Sequence, residues 1–132
     1  MIRGKRVTMR PIEETDLEYV QALNEDPAVR GNVVGWAWPN SLHEQRAWFA
    51  SAAGSQSTRR FVVQDEDGGP LGITGLWDVD WHNRNALTAL KIGGRQDVRG
   101  RGYGEDAIKA VMAFAFYDVG LERLYSSILP SN

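Results

Sequence analysis

The segment Asp97-Val98-Arg99-Gly100-Arg101-Gly102-Tyr103-Gly104-Glu105-Asp106-Ala107-Ile108 places a basic, glycine-rich turn directly before an amphipathic helix. The glycines of this segment allow the backbone to bend sharply and to approach a ligand closely. The first turn of the following helix presents N–H groups that lack intrahelical partners, and such groups bind anions. The segment therefore predicts a turn that holds phosphate.

The sequence on both sides of this turn predicts a strand before it and a helix after it. Before it, residues 86–92 have the composition of a strand, and Gly93-Gly94 ends that strand. After it, apolar residues recur at the three- and four-residue steps of a helix that packs on a sheet: Ala107, Ile108, Val111, Met112 and Ala115. We expect the order strand, loop, glycine turn, helix.

Two known phosphate-binding motifs do not fit this turn. A Walker loop needs Lys followed by Ser or Thr after its last glycine, whereas Glu105 and Asp106 follow Gly104. Residues 102–107 formally match the dinucleotide pattern G-x-G-x-x-A, but that motif begins at the end of its strand, and here residues 93–99 intervene. The ribose-binding acid of that motif is also missing from the expected strand end. Both motifs are therefore excluded.

The two carboxylates at the start of the helix raise an objection to a phosphate site. Glu105 and Asp106 suit the positive end of the helix dipole, but they would compete with a bound phosphate. If their side chains point away from the turn, both effects coexist, and Glu105 can pair with Lys109 one helical turn later.

The remaining pattern is Gln or Arg, two residues, Gly, one residue, then Gly or Ala, present here as Arg99-x-x-Gly102-x-Gly104 with extra charge from Arg101. With this motif the chain resembles the GNAT superfamily of N-acetyltransferases, in which a motif of this form binds the pyrophosphate of acetyl-CoA. Residues 4–11 with 15–17, and residues 75–80 with 83–86, resemble the branch that acetylates the N-termini of ribosomal proteins. The resemblance spans nearly the whole chain.

This resemblance implies a cosubstrate site and a direct reaction. Acetyl-CoA would lie with its thioester and pantetheine beside the strand end and its pyrophosphate on the glycine turn, while Asn132 matches an Asn that contacts the pantetheine arm. The implied cofactor-binding residues are Ile92, Gly93, Gly94, Arg99, Gly100, Arg101, Gly102, Tyr103, Gly104 and Asn132. The acetyl group would pass to an amine without a covalent enzyme intermediate.

The general base and the acceptor contacts are less constrained. Asp80 and His82 follow a strand that we expect beside the cofactor strand, where a carboxylate or imidazole could remove a proton, so Asp80 is the candidate base and His82 a candidate acceptor contact. The alternative is that both residues shape a solvated turn. Trp36 and Trp38 fall in the segment that borders the acceptor site in this family, and they either contact the acceptor or cover the edge of the core.

Length and composition limit other functions. A chain of 132 residues with 42% hydrophobic residues predicts a single domain, residues 1–132. A net charge of −2 and scattered arginines argue against a nucleic-acid partner, and the absence of cysteine, with only His43 and His82, argues against a metal site. No signal core or apolar run of membrane-spanning length is found, so no membrane contact and a cytoplasmic location are expected.

The remaining pattern predicts an α+β fold, a GNAT-like mixed and mainly antiparallel sheet flanked by helices. We expect strands at residues 6–10, 60–64, 71–79, 86–92 and 122–129. The first helix begins after a Thr15 or Asp16 cap and ends at Pro27, and the second begins at a capping box of Ser41 and Glu44. Residues 31–40 are too broken by Gly and Pro for regular structure.

The chain stops at Pro130-Ser131-Asn132, whereas members of the family normally continue with a further helix and two strands. We therefore expect a C-terminally short domain whose open sheet edge could form a homodimer. Two functions are open. One is transfer of an acetyl group from acetyl-CoA to a primary amine, on a protein N-terminus or on a small molecule such as a polyamine or aminoglycoside. The other is a non-catalytic acyl-CoA-binding or interaction module.

Overall fold

The computed structural model of the protein describes residues 1–26, 41–93 and 102–126. In these ranges six strands form one sheet in chain order: β1 (Ile2–Arg3), β2 (Thr8–Pro11), β3 (Arg59–Gln64), β4 (Pro70–Asp80), β5 (Asn85–Ile92) and β6 (Arg123–Tyr125). Neighbours are antiparallel except β5 and β6, which are parallel. The α-helices are α1 (Leu17–Glu25), α2 (Leu42–Ala52) and α3 (Tyr103–Ala113), and α3 continues into a π-helical turn, Phe114–Val119. The predicted α+β class with a mainly antiparallel sheet is confirmed.

The helices cover opposite faces of this sheet. One apolar cluster joins one face to α3, and its buried members are Val7, Met9, Val63, Leu71, Tyr103, Ala107, Ala110 and Val111. A second cluster joins the other face to α1 through Val20, Leu23, Val62 and Ile73. Because Val62 and Val63 are neighbours in β3 but belong to different clusters, the two-residue period of the strand separates the α1 face from the α3 face.

The apolar stripe predicted for the last helix is partly wrong. Ala107 and Val111 are buried as expected, but Ile108 is 47% and Met112 41% exposed. The helix turns Tyr103, Ala107, Ala110 and Val111 toward the sheet instead, and Ile108 and Met112 fall at the margin of that face.

The starts of α2 and α1 differ in their hydrogen bonds: α2 has a side-chain cap, whereas the carboxylate before α1 binds an arginine. The Ser41 hydroxyl accepts the Glu44 N–H at 3.1 Å, which confirms the predicted cap of α2, while the Glu44 carboxylate accepts from that hydroxyl rather than from the backbone. Asp16, one of the two predicted caps, is the N-cap residue of α1, but its side chain makes no capping hydrogen bond to that helix. A short 3₁₀ turn, Glu14–Asp16, precedes α1, and the Asp16 carboxylate accepts from the Arg10 guanidinium at 2.7 and 2.8 Å.

The edge of β5 positions the site. The parallel register pairs Asn85, Ala86 and Leu87 with Arg123, Leu124 and Tyr125. Within the described ranges β6 ends at Tyr125, so residues 88–92 of β5 have β4 on one side and no strand on the other. Of the predicted strand 122–129, the described part forms a strand only at Arg123–Tyr125. The predicted Pro27 helix end, the irregular segment 31–40 and residues 127–129 lie outside the described ranges.

Candidate functional site

The glycine turn meets α3 in a conformation that requires glycine. Gly102 is the N-cap of α3 with φ of +80°, in the left-handed region that side chains strain. The Asp106 N–H donates to the Gly102 carbonyl at 3.0 Å, which closes the first helical turn. The N–H groups of Tyr103, Gly104 and Glu105 therefore lie at the open N-terminal end of α3, where the helix dipole favours an anion.

This helix start lies against the end of β5. A Cβ built on Gly104 would be 3.8 Å from Ile92 Cδ1 and 3.8 Å from Leu90 Cδ2, which is ordinary contact distance. Gly93, directly after the strand, is buried. The structure thus brings together four predicted cofactor residues, namely Ile92, Gly93, Gly102 and Gly104, next to the free edge of β5.

Tyr103 contributes to this site through its backbone only. Its side chain is 7% exposed and its hydroxyl donates to Glu66 and accepts from Arg6 Nη2 at 2.7 Å, while the Arg6 guanidinium lies 4.1 Å from the ring centroid. The hydrogen bond to Glu66 raises the pKa of Tyr103 and lowers that of Glu66. This side chain anchors α3 to the β1–β2 turn and the β3–β4 turn.

The two acids at the helix start are each bound to donors on the protein, and the pairing of Glu105 with Lys109 that the sequence allowed is present. Glu105 forms an ion pair with Lys109 at 2.8 Å, and this hydrogen bond lowers the pKa of Glu105. The Asp106 carboxylate accepts the backbone N–H groups of Lys5, Arg6 and Val7 at 2.9, 2.8 and 2.9 Å. Burial pushes the pKa of Asp106 upward, but these hydrogen bonds and the charge of Lys5 bring it below its ordinary value.

A basic cleft adjoins the helix start. It has a volume of about 410 Å³ and lies beside Gly102, with Arg3, Lys5, Arg6 and Lys109 on its walls together with Glu105 and Asp106. Because Asp106 and Glu105 are each held by donors on the protein, the cleft presents cationic side chains next to the free N–H groups of α3. Sequence reasoning did not identify the β1–β2 turn as part of this site, since its partner Asp106 is about a hundred residues away in the chain.

The candidate base Asp80 is not brought to this site. Asp80 pairs with Asn85 at the start of β5, whereas Ile92 at its end pairs with Gly72, so about 23 Å of strand separates them at about 3.3 Å per residue. The Asp80 oxygens accept the Asn83 backbone N–H and the Asn83 Nδ2, both at 2.9 Å, and the backbone hydrogen bond is the main cause that lowers the pKa of Asp80. His82 is exposed in the same turn. The geometry therefore favours the turn-shaping alternative for both residues.

The remaining predicted site residues, which are Gly94, Arg99, Gly100, Arg101, Trp36, Trp38 and Asn132, lie outside the described ranges. Within those ranges no group of three or more His, Cys, Asp or Glu side chains is arranged to hold a metal ion. The described helices are also too short or too polar to cross a membrane.

Comparison with known proteins identifies the family. Residues 6–132 match the model of the acetyltransferase (GNAT) domain. The chain belongs to the GNAT acetyltransferase family. It is thus an acetyltransferase domain of a family that uses acetyl-CoA as cosubstrate, as the glycine motif implied.

Individual relatives are distant. A spermidine N(1)-acetyltransferase of Vibrio cholerae is 22% identical over 98% of this chain and 73% of its own length, and one of Escherichia coli is 28% identical over 96% of this chain and 66% of its own. An uncharacterised prophage-derived N-acetyltransferase of Bacillus subtilis is 20% identical over 98% of this chain and 70% of its own. The crystal structure of the Vibrio cholerae enzyme with CoA and spermine superposes with a TM-score of 0.85 at 23% identity, covering 96% of this chain and 73% of that one. At this identity the superposition shows a common fold.

Proposed function

We propose that acetyl-CoA binds with its pyrophosphate at the N-terminus of α3 and its pantetheine arm along the free edge of β5, and that its acetyl group passes directly to a primary amine. The observation that carries this assignment is the proximity of Gly104 at the helix start to Ile92 at the strand end, since a Cβ built on Gly104 would lie 3.8 Å from Ile92 Cδ1. It supports a site in which the N-terminus of α3 faces the phosphates beside a strand edge that has no neighbouring strand within the described ranges.

Each part of the cosubstrate meets groups that suit its chemistry. The phosphates receive N–H groups from the first turn of α3 and positive charge from the adjoining basic cleft. The amides of the pantetheine arm would bind along residues 88–92 of β5, which have no neighbouring strand on that side within the described ranges, as in strand addition to a sheet edge. A backbone N–H near Ile92 or Gly93 would polarise the thioester carbonyl.

The reaction needs no covalent enzyme intermediate. The neutral amine attacks the thioester carbon, a carbon–nitrogen bond forms, and the carbon–sulfur bond breaks. The proton that the amine loses ends on the CoA thiolate, directly or through water. Asp80 is too far along β5 to accept this proton, so in this proposal water or another group removes it.

Two acceptor classes remain in this proposal. The resemblance of residues 4–17 and 75–86 to the ribosomal-protein branch favours a protein N-terminus. The relatives named as spermidine acetyltransferases favour a polyamine. Both acceptors supply a primary amine to the same thioester.

The test is CoA binding by calorimetry to the Gly102→Val variant, with Gly68→Val as matched control. Gly68 also has a positive φ, +84°, and open space around it, but it lies in the β3–β4 turn. We expect loss of CoA binding in Gly102→Val and unchanged affinity in Gly68→Val. Equal affinity for CoA in both variants would show that the N-terminus of α3 is not part of the CoA site.

Turnover is measured separately as release of free thiol from acetyl-CoA with a panel of primary amines. The proposal expects thiol release that depends on the amine. If CoA binds tightly but no amine causes thiol release, the result contradicts the proposed transfer and supports the alternative, a non-catalytic acyl-CoA-binding module.

A further inference from the structure

Two cationic side chains, the buried Lys91 and the partly buried Arg60, occupy the face of the sheet that α1 and α2 cover. Arg60 lies in β3 and Lys91 in β5, and the strand alternation places both with Val62 and Ile73 on the α1 face. The glycine turn and the basic cleft lie on the α3 face. These two cations are therefore separate from the groups assigned to the CoA phosphates.

Arg60 carries an uncompensated charge. Its Nε and Nη2 atoms are buried and make no hydrogen bond to any described residue, and its guanidinium lies 3.4 Å from the ring centroid of Trp48 in α2. Burial lowers the pKa of Arg60 to about 10, so the group stays protonated at neutral pH. A buried guanidinium with unused donors is costly unless an anion accepts from it.

Lys91 adds a second cation, partly protonated at neutral pH, on the same face. Its side chain is 4% exposed, and Nζ donates to the Asn24 Oδ1 atom near the end of α1. Burial, and then the charge of Arg60, lower the pKa of Lys91 to about 7. Lys91 directly precedes Ile92, beside which the thioester is placed in the proposed function.

The chain offers few carboxylates to balance these charges. No carboxylate contributes to the pKa of Arg60 or Lys91, and Asp16 on this face is bound to Arg10. Of the segments outside the described ranges, 27–40 and 127–132 contain no Asp or Glu, and 94–101 contains only Asp97. Within the described ranges no carboxylate is paired with Arg60, and the remaining segments contain a single acid, Asp97.

We propose that the acceptor amine carries a negatively charged group, such as a carboxylate, which binds Arg60 with Lys91 beside it. This inference rests on the proposed function, because Lys91 places the pair next to the thioester. Arg60 supplies a planar pair of donors that fits a carboxylate. A polyamine would instead bring additional ammonium groups toward the charged Arg60 and the partly protonated Lys91, and repulsion between these groups is weakly screened near the core.

The test compares three primary amines of similar length that differ at the far end: γ-aminobutyrate with a carboxylate, butylamine with a methyl group, and putrescine with an ammonium. We expect kcat/KM to be highest for γ-aminobutyrate and lowest for putrescine. In Arg60→Met, the loss of charge-assisted hydrogen bonds should lower kcat/KM for γ-aminobutyrate by about tenfold or more and change butylamine by less than about twofold. Arg59→Met, which removes an exposed arginine next in the same strand, should keep the order of the three amines.

The outcomes separate this inference from the proposed function. Preference for putrescine over γ-aminobutyrate, or an equal effect of Arg60→Met on all three amines, would overturn the inference while acetyl transfer stands. If no amine releases thiol although acetyl-CoA binds, the proposed function fails. The inference is then decided by calorimetry of γ-aminobutyrate with the acetyl-CoA-loaded protein: binding that is lost in Arg60→Met and retained in Arg60→Lys supports it, and no binding to the parent chain overturns it.

Discussion

Replacement of Lys91 by Met should raise the free energy of unfolding at neutral pH. This gain over the wild-type chain should become smaller as the pH rises. The Lys91 ammonium is 4% exposed in the folded chain, and its pKa is lowered from 10.5 to about 7 by burial and by Arg60. The unfolded chain therefore holds this proton more tightly than the folded chain does. Methionine has nearly the same length and no charge, so it removes the cost of this difference.

The sign and size follow from proton linkage. Because the folded pKa lies below the unfolded one, the wild-type chain is destabilised fully below about pH 7, and the penalty fades between about pH 7 and pH 10.5. At 1.36 kcal/mol per pKa unit the penalty is about 4 kcal/mol at pH 7 and about 2 kcal/mol at pH 9. The advantage of Lys91→Met should therefore shrink by about 2 kcal/mol over these two pH units, whatever pH-independent packing changes accompany it.

Urea unfolding of both proteins at several pH values between 7 and 9 measures this difference. Lys109→Met is the matched control, since Lys109 is exposed, pairs with Glu105 and has a raised pKa, so that it stays charged in both states over this range. The difference in the free energy of unfolding between Lys109→Met and wild type should not change between pH 7 and pH 9. Parallel pH curves for wild type and Lys91→Met would refute the reasoning, because they would mean that Lys91 is as easily protonated in the folded chain as in the unfolded one.

Three further variants test the remaining contacts. Asp106→Ala leaves the N–H groups of the β1–β2 turn without their acceptor and should cost about 2–3 kcal/mol in urea unfolding, partly relieved by water; a cost below about 0.5 kcal/mol would contradict this. Ser41→Ala removes the cap of α2 and should cost about 1 kcal/mol, with Ser51→Ala, inside the same helix, as the comparison. Asp80→Asn should leave the pH–rate profile of thiol release unchanged, and a shifted profile would restore Asp80 as the base.

Local signals in the sequence were sufficient for the parts of the fold that depend on a few neighbouring residues. The glycine turn predicted the start of α3, and Ser41 predicted the start of α2. The polar turn before β4 also depends on neighbouring residues only, since Asp65 Oδ1 accepts the N–H groups of Asp67 and Gly69 at 2.9 and 2.8 Å. Each of these features is fixed by the conformational preference of a residue within its own turn.

The parts that sequence reasoning missed depend on register or on distant partners. Asp80 was placed beside the cofactor because it follows the strand next to β5, but the antiparallel register carries it to the opposite end. The role of Asp106 depends on Lys5 and its neighbours, which no local pattern connects to it. Lys91 lies in the predicted strand 86–92, and no local pattern shows that it is buried, 4% exposed, with Asn24 of α1 as its hydrogen-bond partner.

The alternation along β5 connects these results. Leu90 and Ile92 point to the α3 face, where they contact the glycine turn, and Lys91 between them points to the α1 face, where it meets Asn24. Three consecutive side chains thus divide the surroundings of one strand edge into a side that suits phosphate and a side that suits the acceptor. A thioester held at this edge would be approached by the amine from the α1 face, since α3 covers the other. The charge on that face, set by Lys91 and Arg60, would therefore select among primary amines before any of them reaches the acetyl group.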